Sequence, residues 1–434
     1  MKPATFYSFS FGCRVNEAEK EEIDRKMAAR GFKFDKNKPD IFIINSCSVT
    51  SKADREARQL VYQTKKRLPE SKIVVTGCAA TYWQKNRQAE KIPADLIIDN
   101  VNKEYLVDII RKRLINKNVG KFIGVNEAVS NKFIGSGRIM IKIQDGCQRF
   151  CTFCIVPYLR GMPKSSKISE IVKKIKQLAK QNRVKEVVLT AINTQAFGFD
   201  SKESFIDLLK SAIDQTDIPK ISLGSVHPWS VNDDFFTFYR QYAQKKRLAD
   251  FFHIPLQSGS NKILGLMKRG YTREEFVSKL RELGAINQYA LIATDIIVGF
   301  LEESEADFQD TYNFLKESPI NKFHVFRFSR RAKTSADYMA RRLKEPTAME
   351  KEDRAEALIK LGQKKLSNFL RKNVGRSSSV LFLEKTFNSY REGLLDNQLP
   401  IFVSDQPGNL TAPGNIRRVK IMDFKKGRLF GKID

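Results

Sequence analysis

The sequence has few histidines, tryptophans and cysteines, and it lacks the long apolar runs that membrane and secreted proteins need. It holds three histidines and two tryptophans among 434 residues, and its six cysteines all lie within the first 154 residues. No stretch approaches the ~18 uninterrupted apolar residues of a transmembrane helix, and the start of the chain lacks the apolar run of a secretion signal. We therefore expect a cytoplasmic protein that does not associate with a membrane.

The six cysteines fall into two patterns. In a reducing cytoplasm, three disulfides are disfavoured and metal binding is favoured. Three cysteines are close together in sequence, whereas the other three can meet only if the fold brings them together. The closely spaced cysteines are Cys147, Cys151 and Cys154, and the dispersed ones are Cys13, Cys47 and Cys78.

The closely spaced cysteines form a Cys-x-x-x-Cys-x-x-Cys run, which brings three thiols into one small volume. Thiolates hold iron–sulfur clusters, and a cubic 4Fe-4S cluster needs four ligands. Three cysteines leave the fourth iron open, as a chemically working metal site requires. The alternatives are a zinc site that lacks one ligand and buried thiols that merely cluster. A second cysteine pair or downstream histidines would accompany zinc, and neither follows.

The first 115 residues alternate strands with helices, which predicts an open parallel α/β sheet. The predicted strands cover residues 4–10, 40–45, 72–76 and 95–98, and the predicted helices cover residues 16–30, 53–67 and 103–115, with one more helix after Cys78. Each of the first three strands leads to one dispersed cysteine. Because the carboxyl ends of parallel strands share one edge, we expect these thiols to meet and hold a second cluster. Three unrelated buried cysteines are the alternative.

After a polar linker at residues 126–137, six further strands alternate with helices and predict a partial (β/α)6 barrel. These strands cover residues 138–143, 186–190, 220–225, 250–255, 291–298 and 322–328. Barrel active sites lie at the carboxyl ends of the strands, where the cysteine loop also lies. The other candidate ligand contacts at that edge, for which capping and turn roles are the alternative, are Thr190, Asn193, Ser225, Gln257 and Val298. The three histidines are expected to be structural or to line a pocket.

The chain is strongly basic, with a formal charge of +28 from 77 Lys and Arg against 49 Asp and Glu. This excess predicts a nucleic-acid partner, although a lysine-rich proteome would also produce it. A charged helix at residues 348–372 is followed, from Val374 onward, by short apolar runs between Pro-Gly and Gly turns. That pattern predicts a small β-barrel of a kind that commonly binds oligonucleotides.

The run from Cys147 to Cys154 resembles the signature of the radical S-adenosylmethionine (SAM) enzymes. In that superfamily the amino and carboxylate groups of SAM chelate the open iron, and an electron from the cluster cleaves SAM to a deoxyadenosyl radical. Phe153 matches the aromatic residue that the superfamily places beside the adenine, with a core role as the alternative. The resemblance implies that the protein orients the cofactor and excludes competing reactions.

The whole chain resembles the methylthiotransferases, radical SAM enzymes that insert a CH3-S group at an unactivated carbon. The matching stretches are Gly12 to Asn16, Asn45 to Thr50, Asp145 to Gly161, and His253 to Ser260. The resemblance implies a cluster domain at residues 1–125, a radical SAM barrel with a trailing helix at residues 133–372, and a TRAM β-barrel at residues 374–434. It also implies two 4Fe-4S clusters and two SAM molecules per turnover, with sulfur carried on the open iron of the dispersed set.

The substrate branch is indicated by the residues after the first two cysteines. Arg14-Val15-Asn16 and the stretch from Val49 to Asp54 look most like the branch that acts on threonylcarbamoyladenosine beside the anticodon of tRNA. The runner-up branches act on isopentenyladenosine in tRNA or on an aspartate of a ribosomal protein, and His227 is closer to the isopentenyl branch. The run Gly299-Phe300-Leu301-Glu302-Glu303 replaces the usual Gly-Phe-Pro-Gly-Glu beside SAM.

The resemblance implies further partners besides tRNA. These are a reductant such as flavodoxin or ferredoxin, and sulfide or persulfide as the sulfur source. A hypothesis of another class is a non-catalytic RNA-binding or redox-sensing iron–sulfur protein, whose cluster would not cleave SAM. A sensor has no need of an open iron beside a barrel mouth, which favours the enzyme.

Overall fold

The chain forms three β-structures in succession, which are an open parallel sheet, a partial barrel and a small closed barrel. The structure, a computed structural model, describes residues 3–115, 137–180, 184–404 and 410–434. Within these ranges, no helix is both long enough and apolar enough to cross a membrane. The linker predicted at residues 126–137 falls outside the described residues, apart from Gly137.

The first sheet is parallel throughout, with strand order β2-β1-β3-β4-β5. Strand β3 is buried along its whole length because helices cover both faces of the sheet, which explains its continuous apolar run. The elements are β1 (Thr5–Ser10), α1 (Arg14–Ala29), β2 (Lys33–Phe34), β3 (Ile41–Ser46), α2 (Ser51–Arg67), β4 (Lys72–Gly77), α3 (Cys78–Lys85), β5 (Leu96–Ile97) and α4 (Leu106–Leu114). The predicted open α/β sheet is confirmed, and β2 is an additional short strand.

The central region forms a partial barrel of six parallel strands, as predicted. The strands pair in the order β6-β8-β9 and β10-β11-β12, and a bridge between Ile221 and Leu248 joins the two groups. The strands are β6 (Arg138–Asp145), β7 (Lys164–Ser165), β8 (Glu186–Ala191), β9 (Lys220–Leu223), β10 (Phe251–His253), β11 (Leu291–Val298) and β12 (Lys322–Arg327). The unpredicted β7 is antiparallel to β6.

Helices follow most of the barrel strands. They are α5 (Val156–Arg160), α6 (Ile168–Ala179), α7 (Phe205–Asp214), α8 (Asp233–Ala243), α9 (Asn261–Leu266), α10 (Arg273–Ile286), α11 (Glu305–Glu317), α12 (Ser335–Met339) and α13 (Ala348–Lys372). The long charged helix α13 has the predicted bounds. Helix α6 is absent from the prediction, although its apolar residues recur at helical spacing and are buried.

Helix α1 of the first sheet packs against the open side of the partial barrel. The Glu21 carboxylate accepts a hydrogen bond from the Met140 backbone N–H of strand β6 (2.8 Å). At the start of the helix, Arg14 donates to the carbonyl oxygens of Leu223 and Gly224 at the end of β9 (3.1 Å each). The helix that follows Cys13 is therefore bonded to the barrel at both its first turn and its middle.

The last part of the chain is a closed five-stranded barrel with strand order β13-β14-β15-β17-β16. Its interior shares one hydrophobic cluster with Phe251, Leu291 and Phe369, and the Asp250 backbone N–H donates to the Asp396 carbonyl oxygen (3.0 Å). The strands are β13 (Ser377–Phe387), β14 (Tyr390–Leu394), β15 (Pro400–Ser404), β16 (Ile416–Lys425) and β17 (Arg428–Ile433). The small barrel therefore lies against the amino ends of β10 and β11.

Candidate active site

The three dispersed cysteines lie at one edge of the first sheet. Cys13 directly precedes helix α1, Cys47 follows strand β3, and Cys78 begins helix α3 after strand β4. The loops are in contact, because a Cβ built on Gly12 would lie 2.7 Å from the Cys47 Sγ. Burial, together with the neighbouring Cys78 and Cys13, raises the pKa of Cys47 to about 12.

A network of polar side chains joins these three loops. The fully buried Asn16 donates from Nδ2 to the carbonyl oxygens of Phe11 (2.8 Å) and Ser46 (3.0 Å). The Asn45 Nδ2 donates to the Asn16 carbonyl oxygen (2.7 Å), and the Ser46 hydroxyl donates to the Thr76 carbonyl oxygen. The backbone beside each dispersed cysteine is thereby fixed to the backbone beside the others.

The closely spaced cysteines occupy a loop that closes on itself after strand β6. The Cys147 backbone N–H donates to the Gly161 carbonyl oxygen (3.1 Å). Gly146 adopts φ +73°, and a Cβ there would lie 2.1 Å from the Met162 carbonyl oxygen. Glycine is therefore required at position 146, both for its left-handed backbone and for the close approach of the returning chain.

Hydrogen-bond donors surround the sulfur atoms of this loop. The Asn193 Nδ2 lies 3.5 Å from the Cys147 Sγ, and the Arg269 guanidinium lies 3.3 Å from the Cys151 Sγ. Burial and the neighbouring Cys151 raise the pKa of Cys154 to about 12. Donors and a cation aimed at sulfur stabilise the thiolate form that a cluster needs.

Each cysteine set supplies three free thiols, the donor type that iron–sulfur clusters need. In the part of the chain that the structure describes, no three His, Cys, Asp or Glu side chains are arranged as ligands of one ion. A cubic cluster is bound through separate iron atoms, so its thiolates stand farther apart than the ligands of one ion. Burial favours protonated thiols, and cluster binding would displace those protons.

Three of the predicted SAM contacts are polar residues at the carboxyl ends of the barrel strands. Thr190 is buried on β8. The Asn193 side chain accepts a hydrogen bond from the Gln195 backbone N–H (3.1 Å) and so caps a short turn. The Ser225 Oγ lies 2.8 Å from the His253 Nδ1. Asn193 thus performs the capping role that was the alternative, and it contacts Cys147 as well.

The remaining predicted contacts are held mainly by apolar packing and backbone bonds. Phe153 is half-buried against the hydrophobic cluster that contains Phe300. Gln257 has φ +85°, and its backbone N–H donates to the Asp295 carbonyl oxygen (2.9 Å). Val298 is fully buried in the barrel core, so its side chain packs on protein.

Beside the central cysteines lie Arg149, Trp229 and Arg269, which the sequence pattern did not reveal. The Arg269 guanidinium lies 4.8 Å from the Trp229 ring, and Arg149 lies 3.9 Å from the same ring. The buried Trp229 Nε1 and His227 Nδ1 find no hydrogen-bond partner among the described residues. Buried polar atoms are normally paired, so these two indicate a place for a ligand.

His253 is part of a chain of polar groups from three neighbouring strands. Its Nδ1 lies 2.8 Å from the Ser225 Oγ, and its Nε2 lies 3.0 Å from the Asp295 Oδ1. The sequence identifies the histidine but not its partners, since Asp295 lies 42 residues farther along the chain. The contacts fix the orientation of the imidazole ring at the barrel mouth.

A buried charge network connects the two cysteine sites. Arg160 donates to both carboxylate oxygens of Glu19 (2.8 and 3.2 Å) and of Asp145 (2.9 and 3.0 Å), and to the Asn16 Oδ1 (2.7 Å). Lys103 donates to Glu19 as well (2.6 Å). Burial alone would raise the pKa of Glu19, but the surrounding cations outweigh it and hold the pKa well below its usual range.

Comparison with known proteins identifies the family to which this chain belongs. Residues 141–315 match the model of the radical SAM superfamily, and residues 5–99 match the model described as uncharacterized protein family UPF0004. The threonylcarbamoyladenosine tRNA methylthiotransferase MtaB of Aquifex aeolicus is 36% identical over 389 residues, which cover 87% of this chain and 92% of that protein. The chain belongs to the radical SAM methylthiotransferases.

Other methylthiotransferases match along nearly the whole chain. The MtaB protein of Bacillus subtilis is 30% identical over 96% of this chain and 94% of its own length. The tRNA-2-methylthio-N(6)-dimethylallyladenosine synthase of Natranaerobius thermophilus is 29% identical over 99% of this chain and 96% of its own length. This radical SAM methylthiotransferase is therefore an enzyme whose superfamily membership implies a 4Fe-4S cluster and SAM.

The fold also matches a more distant radical SAM enzyme. A structure of the methyltransferase TsrM from Kitasatospora setae superposes with a TM-score of 0.51 at 10% identity, covering 75% of this chain and 73% of that one. At this identity the likeness concerns the fold alone. It supports the assignment of the central strands to a radical SAM barrel in the methylthiotransferase.

Proposed function

We propose that this enzyme inserts a methylthio group at C2 of threonylcarbamoyladenosine beside the anticodon of tRNA. It would use two 4Fe-4S clusters and two SAM molecules per turnover, one as methyl donor and one as radical source. Cys147, Cys151 and Cys154 would hold the radical SAM cluster, and Cys13, Cys47 and Cys78 would hold the second. The observation that carries the proposal is the gathering of the second set beside the barrel in a chain whose relatives are tRNA methylthiotransferases.

The residues of this chain would bind and orient the cofactors. When bound, the clusters and SAM supply radical chemistry and transferable sulfur, neither of which a side chain provides. Phe153 would lie beside the adenine of SAM. Thr190, Asn193, Ser225, Gln257 and Val298 would line the cofactor wall, Val298 through its backbone. The unpaired Nε1 of Trp229 and Nδ1 of His227 support a ligand pocket at the same edge.

The basic surface supports an RNA substrate. The formal charge of +28 would draw a polyanion to the protein, with an affinity that falls as salt rises. On the small C-terminal barrel, Arg418 and Lys420 are exposed on the outward face of strand β16. This row of cations on a closed barrel supports contact with the phosphates of tRNA.

The domain boundaries follow the functional division of the chain. We assign residues 1–125 to the second-cluster domain, residues 133–372 to the radical SAM barrel with its trailing helix, and residues 374–434 to the TRAM barrel. A cytoplasmic reductant such as flavodoxin or ferredoxin would supply electrons. Sulfide or persulfide would supply the sulfur.

The identity of this chain to a second group of tRNA-modifying relatives supports an alternative substrate. Relatives named tRNA-2-methylthio-N(6)-dimethylallyladenosine synthase match this chain at 29% to 34% identity, close to the 30% to 36% of the MtaB relatives. The alternative substrate is therefore the isopentenylated adenosine of tRNA. Both reactions place the same group at C2 of a modified adenine.

Mass spectrometry of tRNA nucleosides distinguishes the two substrates. Cells that lack the gene should lose 2-methylthio-threonylcarbamoyladenosine and keep its isopentenyl counterpart, and the wild-type gene should restore the lost nucleoside. Loss of the isopentenyl species alone would move the enzyme to the alternative branch. Retention of both species would refute the tRNA proposal.

A further inference from the structure

Arg160 is buried at the junction of the two cysteine sites. Its side chain is 1% exposed and the Glu19 side chain is 4% exposed. The guanidinium lies at the end of helix α5, in the loop that carries the central cysteines, and Glu19 lies on helix α1, which begins directly after Cys13. One side chain therefore joins the elements that carry the two sites.

The bonds of Arg160 reach the backbone that positions cysteines on both sides. On the central side it is paired with Asp145, whose Oδ1 also accepts a hydrogen bond from the Gly146 N–H (2.8 Å) just before Cys147. On the other side it donates to Asn16, the residue that fixes the loops around Cys13 and Cys47. A displacement of the guanidinium would therefore move both sites.

The charges of this network do not balance. Arg160 and Lys103 are 1% and 8% exposed and face the single buried carboxylate of Glu19, which leaves one buried positive charge in excess, whereas Lys142 and Asp145 are 32% and 26% exposed and pair with each other. Taking ions out of water is costly, so an excess buried charge calls for a compensating anion. A 4Fe-4S cluster held by three thiolates is such an anion, and reduction makes it more negative.

We propose that Arg160 is a positioning residue that fixes the dispersed cysteine site against the central one, and that its charge raises the reduction potential of the second cluster. The potentials of iron–sulfur clusters depend on nearby charge and hydrogen bonds. A cation beside the cluster favours the reduced state, so removal of the cation lowers the potential. This inference rests on the second cluster of the proposed function and not on the identity of the nucleoside.

The potential can be measured on the full chain with the central cysteines replaced by alanine, so that one cluster remains. We expect Arg160→Gln to lower its reduction potential in a redox titration followed by electron paramagnetic resonance. Glu19→Gln removes a negative charge from the same network and should raise the potential. Arg160→Lys keeps the charge and should leave the potential close to that of the unaltered chain.

The opposite signs separate an electrostatic role from a merely structural one. Arg160→Gln and Glu19→Gln both break the same buried ion pair, so loosening alone would shift the potential in one direction. The matched control is Arg240→Gln, which removes an exposed partner of Glu282 on the outside of the barrel. Equal potentials in all variants, or shifts of the same sign for Arg160→Gln and Glu19→Gln, would overturn the electrostatic part of the inference.

The positioning role has its own measurement in the chain with all six cysteines. We expect the magnetic coupling between the two reduced clusters to weaken in Arg160→Lys, which loses the forked contacts, and to persist in Arg240→Gln. Unchanged coupling in Arg160→Lys would overturn the positioning role. Absence of iron from the chain that keeps only Cys13, Cys47 and Cys78 would overturn both the second cluster and this inference, whereas a different modified nucleoside would leave the inference standing.

Discussion

The two cysteine sites each bring together three cysteines, but by opposite routes. The central site is made by one loop, which is closed by a bond between Cys147 and Gly161 and requires a glycine at position 146. The N-terminal site is made by three loops that are more than 30 residues apart in sequence and are held together by Asn16 and Asn45. A local site depends on turn geometry, whereas a dispersed site depends on the whole sheet beneath it.

The largest expected effect comes from removing the central site. Replacement of Cys147, Cys151 and Cys154 by alanine should abolish SAM cleavage under anaerobic reducing conditions, because no ligand would hold the radical SAM cluster. Iron should fall from about eight to about four atoms per chain, two clusters becoming one. Unimpaired cleavage would show that these cysteines do not hold the cluster.

Removal of the dispersed site should give the complementary result. Replacement of Cys13, Cys47 and Cys78 by alanine should leave SAM cleavage intact, because the central loop does not depend on these thiols for its closure. Methylthio transfer to tRNA should be lost with the sulfur-carrying cluster, and about four irons per chain should remain. Normal methylthiolation by this variant would contradict the assignment of a second cluster.

A matched pair of glycines tests how local the central site is. Gly146→Ala and Gly427→Ala both force a side chain into a backbone of positive φ, at +73° and +76°, but only the former Cβ would meet the backbone of Met162, at 2.1 Å, and nothing lies within 4 Å of the latter. The cost of positive φ is about 1–2 kcal/mol. We expect Gly146→Ala to slow SAM cleavage about 100-fold, the effect of roughly a 1 Å displacement of reacting groups, and Gly427→Ala, in the turn between β16 and β17, to slow it much less. Equal rates would show that the clash is relieved without moving the loop.

The smallest expected effect concerns the network that holds the dispersed loops. Asn16→Ala leaves the carbonyl oxygens of Phe11 and Ser46 without this donor, which should lower the free energy of unfolding by about 1–3 kcal/mol and reduce the iron bound at the dispersed site. Asn86→Ala is the control, because its Nδ2 also donates to a carbonyl oxygen, that of Tyr82, away from the loops. Thermal unfolding and iron analysis check both variants, and equal iron in the two would contradict the role of Asn16.

The sequence predicted much of the fold because its elements are regular and strongly patterned. The six barrel strands and the first sheet were predicted from their strand and helix patterns, and helix α13 was predicted as a long charged helix. Strand β14 was not, because Tyr390–Leu394 mixes charged, small and apolar residues and its pairing comes from neighbouring strands. Short strands whose side chains follow no clear alternation are fixed by tertiary pairing.

The site was less predictable than the fold. The close cysteines were identified by spacing, and the meeting of the dispersed ones was expected from the common edge of a parallel sheet. Arg160, Glu19 and Arg269 carry no local signal of their role, because Arg160 meets Glu19 across 141 residues of sequence and Arg269 meets Cys151 across 118. Buried ion pairs between domains depend on how the sheets pack against each other. The spacing of apolar residues in the sequence does not predict that packing.

The small C-terminal barrel lies at the opposite end of the central strands from the cysteines. Strand β11 has eight residues, so the two ends are separated by roughly 26 Å at ~3.3 Å per residue. A free nucleoside, or a stem of a few base pairs, is too short to touch both ends at once. Under the proposed contact of the small barrel with tRNA, a substrate would have to span this distance, and its molecular size would then take part in substrate selection.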